Sequence, residues 1–305
     1  MKVHVLAGYH HSASHSYRIW EHLHPDMRGD FIVDRQARAL RSWSPDDVVM
    51  ASSFNDIGRA KHHRVIYVEH GAGQSYIDAH PRFADYYAGG RHSENVIAHI
   101  GPREDVVGKW DTPGFACGAP ICDPYELYSN ERVAAITFHW SAPLGPPEAG
   151  TAFEHYVDRL PDIVRALRDE GYEVLAHRHP RFTHLHSVWT KLGMEVASVD
   201  EVRSRAQLLI ADNTSLIYEM LYLYRDVIAL NAPWYRRDVE HGLRFWSWQP
   251  YTHAEDPDEL IDMIRSPELR QPDADGDLCQ YVYGKRRSDG LDGKRAAAWI
   301  TMLLS

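Results

Sequence analysis

Residues 208–224 read Leu-Leu-Ile-Ala-Asp-Asn-Thr-Ser-Leu-Ile-Tyr-Glu-Met-Leu-Tyr-Leu-Tyr, a short apolar run followed by four polar residues and a helical pattern. The pattern predicts a strand, a tight turn and the start of a helix. Asn213 and Thr214 are residue types of turns and N-caps. Apolar residues then recur at helical spacing, so we expect one face of the helix to be buried against a sheet: Leu216, Met220, Leu221 and Leu223.

Ser215 and Glu219 are four positions apart and therefore lie on the same side of the predicted helix. The hydroxyl and the backbone N–H groups at a helix start suit a phosphate, and a carboxylate one turn later can accept hydrogen bonds from a ribose. The alternative is a well-capped strand-helix unit that binds nothing. This stretch leaves both interpretations open.

Strand and helix patterns alternate in both halves of the chain, which predicts parallel sheets covered on both faces. The expected strands are 3–6, 31–33, 48–50, 65–68, 96–99, 133–138, 173–176, 194–197, 208–211 and 226–230. The expected helices are 16–24, 54–61, 153–170, 200–205, 257–264 and 289–304. The pattern lapses over 124–130, as in a linker between domains. We predict an α/β fold with a first domain at 1–123, a second at 124–275, a cleft between them, and a tail, 276–305, that packs back on the domains.

Composition indicates a globular protein without membrane insertion. The 305 residues are 44% hydrophobic and 25% charged, with a net charge of −10, and no apolar run is long enough to span a bilayer. The N-terminus enters a strand pattern without a signal peptide, so we expect a cytoplasmic protein. Cys117, Cys122 and Cys279 are expected to be reduced thiols. The 20 histidines have no ligand spacing typical of a metal site, so we predict neither a metal nor a cofactor.

Two predicted strands end in loops with chemically useful side chains. His70 and Gly71 follow the strand 65–68, at the edge where parallel sheets bind ligands, and His70 can be a general base or a simple cap. The strand 173–176 opens into His177-Arg-His-Pro-Arg181. This cationic loop either meets phosphate groups, as Arg178 and Arg181 would, or is an exposed polar loop.

The chain resembles the CDP-glycerol glycerophosphotransferase family, the teichoic-acid polymerases and primases, which have the GT-B fold. Four landmarks carry the resemblance in order: His70-Gly71, Gly118-Ala-Pro-Ile-Cys-Asp123, His179-Pro180, and Asp212-Asn-Thr-Ser215 with Glu219. The resemblance covers about 70–230 and implies two Rossmann-like domains of the GT-B type.

The resemblance also implies roles for individual residues. His70 matches a histidine that acts on the acceptor hydroxyl, and His179 matches one that faces the diphosphate of the donor. Thr214 and Ser215 match the hydroxyl pair at the helix start, and Glu219 lies near the acidic position of the family on that helix. Together with the arginines of the cationic loop and the turn before the helix, they form the predicted donor-binding set, and a second predicted set supports the loops. The donor-binding set is Arg178, Arg181, Asp212, Asn213, Thr214, Ser215 and Glu219; the loop-supporting set is Gly71, Gly118, Pro120 and Asp123.

The leading hypothesis is a transferase that moves a glycosyl group from a nucleoside-diphosphate donor to the hydroxyl of a soluble acceptor. The loop after Gly71 reads Ala-Gly-Gln-Ser, where the family has a Thr-Pro and a basic residue, so acceptor and donor can differ. A basic amphipathic helix for membrane attachment is not evident. Alternatives are glycerol-phosphate transfer from CDP-glycerol, epimerisation of a sugar nucleotide, an inactive nucleotide-binding module, and transfer to a hydroxymethylated DNA base. Only the basic clusters 234–237 and 285–287 favour a nucleic-acid acceptor.

Overall fold

The structure is a computed structural model that describes residues 1–8, 10–33, 40, 42–69, 94–108, 111–140, 150–179, 182, 185–235, 252–270, 283–284 and 289–305. The chain divides into two compact units. Unit 1 comprises Met1–Pro124 and Val282–Ser305, and unit 2 comprises Tyr125–Tyr281. Each unit is built on one six-stranded sheet, and every strand pairing in both sheets is parallel. The α/β fold with two Rossmann-like units is therefore confirmed.

The sheet of unit 1 has the strand order β2-β1-β3-β4-β5-β6. Its strands are β1 Val3–Ala7, β2 Arg28–Val33, β3 Val48–Ala51, β4 Arg64–Val68, β5 Val96–Gly101 and β6 Gly114–Ala116. Its helices are α1 His10–Trp20, α2 Phe54–Arg59, α3 Glu104–Val107 and α10 Asp292–Leu304, with a 3-10 turn at Pro120–Cys122. Helix α1 begins and ends earlier than the predicted 16–24, and the residues 21–24 that precede Pro25 form turns.

The sheet of unit 2 has the order β12-β11-β10-β7-β8-β9. Its strands are β7 Val133–Phe138, β8 Glu173–Arg178, β9 Glu195–Ala197, β10 Leu208–Ala211, β11 Asp226–Leu230 and β12 Thr252–Ala254. Its helices are α4 Phe153–Tyr156, α5 Leu160–Asp169, α6 Leu185–Lys191, α7 Val199–Arg205, α8 Leu216–Tyr222 and α9 Pro257–Arg265, with 3-10 turns at Val157–Arg159 and Pro267–Leu269. The predicted helix 153–170 is split, and Pro161 starts its second part, α5.

Each unit buries its own apolar core. In unit 2, residues of β7, β8, β10 and β11 pack with α4, α5, α6 and α9, and Phe138 stacks on Trp189 with the ring centroids 6.0 Å apart. In unit 1, Ala297 and Ile300 of α10 pack with α1 and the sheet. The C-terminal helix thus completes the core of unit 1, because its apolar side covers strands that are themselves buried.

Candidate functional site

The strands β7, β8 and β10 of unit 2 end side by side. Thr137 of β7 is in register with His177 of β8 and with Ala211 of β10, and Phe138 is in register with Arg178. The residues that directly follow these strands are His139, His179 and Asp212. Ligands of open parallel sheets bind at this carboxyl edge. We call this set of strand ends the edge site.

Aromatic side chains pack together at the edge site. The rings of His139 and His179 meet edge to face with their centroids 4.9 Å apart. Trp140 lies nearly parallel to His179 at 6.5 Å. All three side chains are half-buried. His139 was not predicted as a site residue, although its position directly after the predicted strand 133–138 is a usable signal.

Asp212 holds two loops of the edge site together. Its side chain is buried, and its carboxylate accepts hydrogen bonds from the backbone N–H of His139 at 2.6 Å, the hydroxyl of Thr151 at 2.9 Å and the backbone N–H of Ala152 at 2.8 Å. Both oxygens are therefore used by the protein. This contact set is that of an aspartate that fixes the chain after β7 and the start of α4; the predicted contact of Asp212 with a donor stays a prediction.

The turn between β10 and α8 presents hydroxyl groups. Thr214 accepts a hydrogen bond from the backbone N–H of Leu216 at 3.2 Å, which stabilises the turn before the helix. Ser215 is half-buried, and its hydroxyl has no hydrogen-bond partner among the residues that the structure describes. Asn213, between them and Asp212, is buried. The turn therefore offers one hydroxyl that a ligand can use.

Helix α8 is buried on every side, since all of its residues from Leu216 to Tyr222 are buried. The face predicted to be buried is buried, and the burial extends to the other sides of the helix as well. Glu219 is paired inside the protein, with Arg203 of α7 at 2.7 Å, and Arg203 also contacts Asp200 at 2.9 Å. Arg203 and Glu219 belong to separate helices and meet only through tertiary packing. The sequence pattern therefore does not predict Arg203 as the partner of Glu219.

Two basic side chains follow one another at the end of β8. Burial, together with the positive charges of Arg203 and Arg178, lowers the pKa of His177 to about 4, so this imidazole is neutral at pH 7. His177 Nδ1 lies 2.9 Å from the hydroxyl of Thr137. Arg178 is half-buried and forms no ion pair or hydrogen bond with any described residue. Arg178 thus brings a positive charge to the edge site that the described protein does not neutralise.

The predicted loop-supporting residues of unit 1 surround the start of α10. Gly118 has φ +82°, and a side chain there would collide with the carboxylate of Asp292. Pro120 begins the 3-10 turn Pro120–Cys122. Asp123 caps α10 by accepting hydrogen bonds from the backbone N–H groups of Asp292 at 3.1 Å and Gly293 at 2.7 Å. Burial, with the nearby negative charge of Asp292, raises the pKa of Asp123 to about 6.

Unit 1 has a pocket at the carboxyl edge of its own sheet. Its cavity volume is about 10 Å³, which is room for a single water molecule, and it is partly open to solvent. Its lining includes His15 of α1 and residues that follow β4, β5 and β6. Glu69, in this lining, lies 3.7 Å from the buried His99 of β5. Glu69 directly follows the predicted strand 65–68, so sequence position could have pointed to it.

Several predicted residues lie outside the described part of the chain: His70, Gly71, Pro180, Arg181, Cys279, and the clusters 236–237 and 285–287. Trp234, which precedes the first of these clusters, is 40% exposed. Cys117 and Cys122 are buried. In the described ranges, no three His, Cys, Asp or Glu side chains come close enough to hold a metal ion. None of the helices described in either unit has the length and apolar composition needed to cross a bilayer.

The fold is similar to that of solved GT-B proteins. The wall teichoic acid polymerase TagF, in a variant soaked with CDPG, aligns with a TM-score of 0.67 and 13% identity over 99% of this chain and 88% of that one. The UDP-GlcNAc 2-epimerase from Neisseria meningitidis, bound to UDP-GlcNAc, aligns with a TM-score of 0.56 and 11% identity over 100% and 99%. A putative UDP-N-acetylglucosamine 2-epimerase from Listeria monocytogenes aligns with a TM-score of 0.56 and 12% identity over 99% of this chain and 96% of that one.

Comparison by sequence gives no further relative. No protein-family model matches the chain, and no curated protein matches it. At 11 to 13% identity, the similarity to these structures establishes the GT-B fold alone.

Proposed function

We propose that this chain is a GT-B transferase that moves a glycosyl group from a nucleoside-diphosphate donor to a hydroxyl acceptor. One observation carries the proposal: the edge site places a cation without a described protein partner, a hydroxyl without one, and half-buried aromatic rings at the carboxyl ends of adjacent parallel strands. A diphosphate needs cations and hydrogen-bond donors, and such groups are most effective where water is excluded.

Each group at the edge site has a part in this proposal. Arg178 and Ser215 bind the oxygens of the diphosphate, and His179 stabilises its departing charge. Asp212 fixes the two loops that carry these groups. Arg203 holds Glu219 in place, and this ion pair fixes the start of α8, which follows the turn that carries Ser215.

In the transfer step, an oxygen of the acceptor attacks the donor carbon as the bond from that carbon to the diphosphate breaks. The diphosphate leaves with the electron pair of that bond. His70, which directly follows Glu69 in the sequence, takes the proton of the hydroxyl. This assignment derives from its sequence position and from the family resemblance.

A second candidate is glycerol-phosphate transfer from CDP-glycerol, favoured by the similarity to TagF, whose variant was soaked with CDPG. The attack is then on phosphorus. The similarity to the epimerase structure with bound UDP-GlcNAc favours a uridine donor instead. A thermal-shift panel of UDP-sugars and CDP-glycerol separates these cases, because the ligand that binds the folded chain raises its melting temperature.

Incubation with the stabilising donor and no acceptor then tests epimerisation, which alone produces a new sugar nucleotide.

The histidine roles are tested by separating binding from turnover. We expect His70→Ala to lower kcat by about 10²–10⁴ while donor affinity changes little, because a general base contributes mainly to the transition state. His179→Ala should weaken donor binding as well as rate. The opposite pattern, with donor binding lost in His70→Ala and kept in His179→Ala, would reverse the two assignments. No thermal shift with any nucleotide would contradict the transferase proposal itself.

A further inference from the structure

The chain enters unit 2 through residues 125–131, which we call the strap. Two hydroxyl groups fasten the strap to helix α7. The hydroxyl of Tyr125 donates a hydrogen bond to Asp200 at 2.6 Å. The hydroxyl of Ser129 donates one to the backbone carbonyl of Arg205 at 2.9 Å. The strap is therefore held to the body of unit 2 at two points along its length.

The middle of the strap lies on the end of helix α8 in an unfavourable backbone conformation. The backbone N–H of Tyr128 donates to the carbonyl of Leu223 at 3.0 Å, and the ring of Tyr128 stacks on that of Tyr224 with the centroids 4.7 Å apart. Tyr128 and Tyr224 have φ angles of 67° and 57°, and among the described residues they are the two without a glycine's freedom that adopt positive φ. Left-handed backbone is unfavourable for a residue with a Cβ atom, so the closed position of the strap carries a conformational cost.

A buried arginine lies against the strap. Arg225 is 4% exposed, and its Nη2 donates to the backbone carbonyl of Glu126 at 2.9 Å. Its Nε and Nη1 are buried and have no hydrogen-bond partner in the part of the chain that the structure describes. Burial lowers the pKa of Arg225 despite the nearby negative charge of Glu126. A buried guanidinium needs a paired counter-charge and acceptors for its N–H groups, so the closed strap leaves this cation poorly compensated.

We infer that the strap is a latch of low local stability, which opens within the folded chain because opening lets water hydrate Arg225. The hydrogen bonds of Tyr125 and Ser129 to α7 oppose this opening. Pro124, directly before the strap, is the last residue of the first segment of unit 1. Release of the latch therefore frees the covalent connection between the two units over residues 125–131. The inference does not rest on the proposed transferase function.

The test is hydrogen exchange of the full chain, measured by mass spectrometry on peptides that cover the strap and strand β10. In the unaltered chain, the strap should exchange at least about 100-fold faster than β10, because local opening requires much less free energy than global unfolding. Its exchange should also depend less on urea, since local opening exposes little surface. Arg225→Met should slow the exchange of the strap about tenfold or more, because methionine fills the site without a buried charge.

Two further variants separate the latch from a general effect of substitution. Tyr125→Phe removes the hydroxyl that donates to Asp200, so the strap should exchange about three- to tenfold faster. Arg205→Met is the matched control for the change from arginine to methionine. The Arg205 side chain is 28% exposed and is paired with Glu131 and Glu173, so its replacement relieves no buried charge and should not slow the strap.

Unchanged or faster exchange of the strap in Arg225→Met would overturn the inference, because the guanidinium would then anchor the strap through Glu126. Equal slowing in Arg205→Met would also overturn it. A strap that exchanges at the rate of β10, with the same dependence on urea, would show that it opens only on global unfolding. This last comparison uses the unaltered chain alone, so it decides the question even if Arg225→Met does not fold.

Discussion

Arg203 and Glu219 form a buried ion pair in which Nε and Nη2 of the guanidinium both lie 2.7 Å from Oε2 of the carboxylate. The two side chains are only 8% and 5% exposed. The pair joins α7 to the first turn of α8, the helix that begins directly after the Asp212–Ser215 turn in the sequence. Removing one partner of such a pair leaves an uncompensated charge in the interior.

Glu219→Ala should therefore lower the free energy of unfolding by about 3–5 kcal/mol, measured by urea denaturation of the full chain. Glu173→Ala is the control, because Glu173 pairs with Arg205 at 2.7 Å while 51% exposed. An exposed pair contributes at most about 1 kcal/mol. Equal effects of the two substitutions would show that the Arg203–Glu219 pair is not buried in solution.

Asp212→Asn tests the loop-holding role. The substitution replaces one carboxylate oxygen with an amide nitrogen, which cannot accept from both Thr151 and Ala152 if it takes the place of Oδ2. A buried donor left without a partner costs about 1–3 kcal/mol, so we expect a loss of at least about 2 kcal/mol in the free energy of unfolding. Nucleotide affinity is then measured at a temperature where the variant is folded. A stable variant that has lost nucleotide binding would instead give Asp212 a direct contact with the donor.

The neutral state of His177 predicts an acid-sensitive contribution to stability. Its pKa is lowered from 6.5 to about 4 in the folded chain, so the unfolded chain binds more protons between these values. The free energy of unfolding should fall as the pH is lowered through that window. His177→Gln should reduce the fall, as measured by urea denaturation from pH 7 to pH 4. An unchanged pH dependence would mean that His177 is accessible and protonated normally.

Asp123 predicts a contribution of the opposite sign. Its pKa is raised from 3.8 to about 6, so the folded chain binds more protons between these values, and its contribution to stability is lost as the pH rises through the window. Comparison with Asp123→Asn isolates this contribution, because the variant cannot titrate there. The stability difference between the two chains should change between pH 4 and pH 6.5 and be constant above it. A difference independent of pH would contradict the raised pKa.

Sequence periodicity was sufficient for most strands, because the buried strands of a parallel sheet are nearly continuous apolar runs. The short strands β6 and β12 were not predicted, although β9, which is equally short, was. Positions after strands were likewise informative, as His179 and Asp212 illustrate. The pairing of Arg203 with Glu219 and of His99 with Glu69 depends on tertiary packing between separate elements, which no spacing in the sequence encodes.

Nucleoside-diphosphate binding at the edge site of unit 2 is tested most directly by isothermal titration calorimetry with UDP and CDP. At least one of them should bind the full chain, and Arg178→Ala and Ser215→Ala should each weaken that binding about tenfold or more, because each removes a hydrogen bond to a charged group. Arg165→Ala, which removes a 66% exposed guanidinium on α5, should leave the affinity unchanged. Binding of neither nucleotide, or equal affinities in all three variants, would contradict the account.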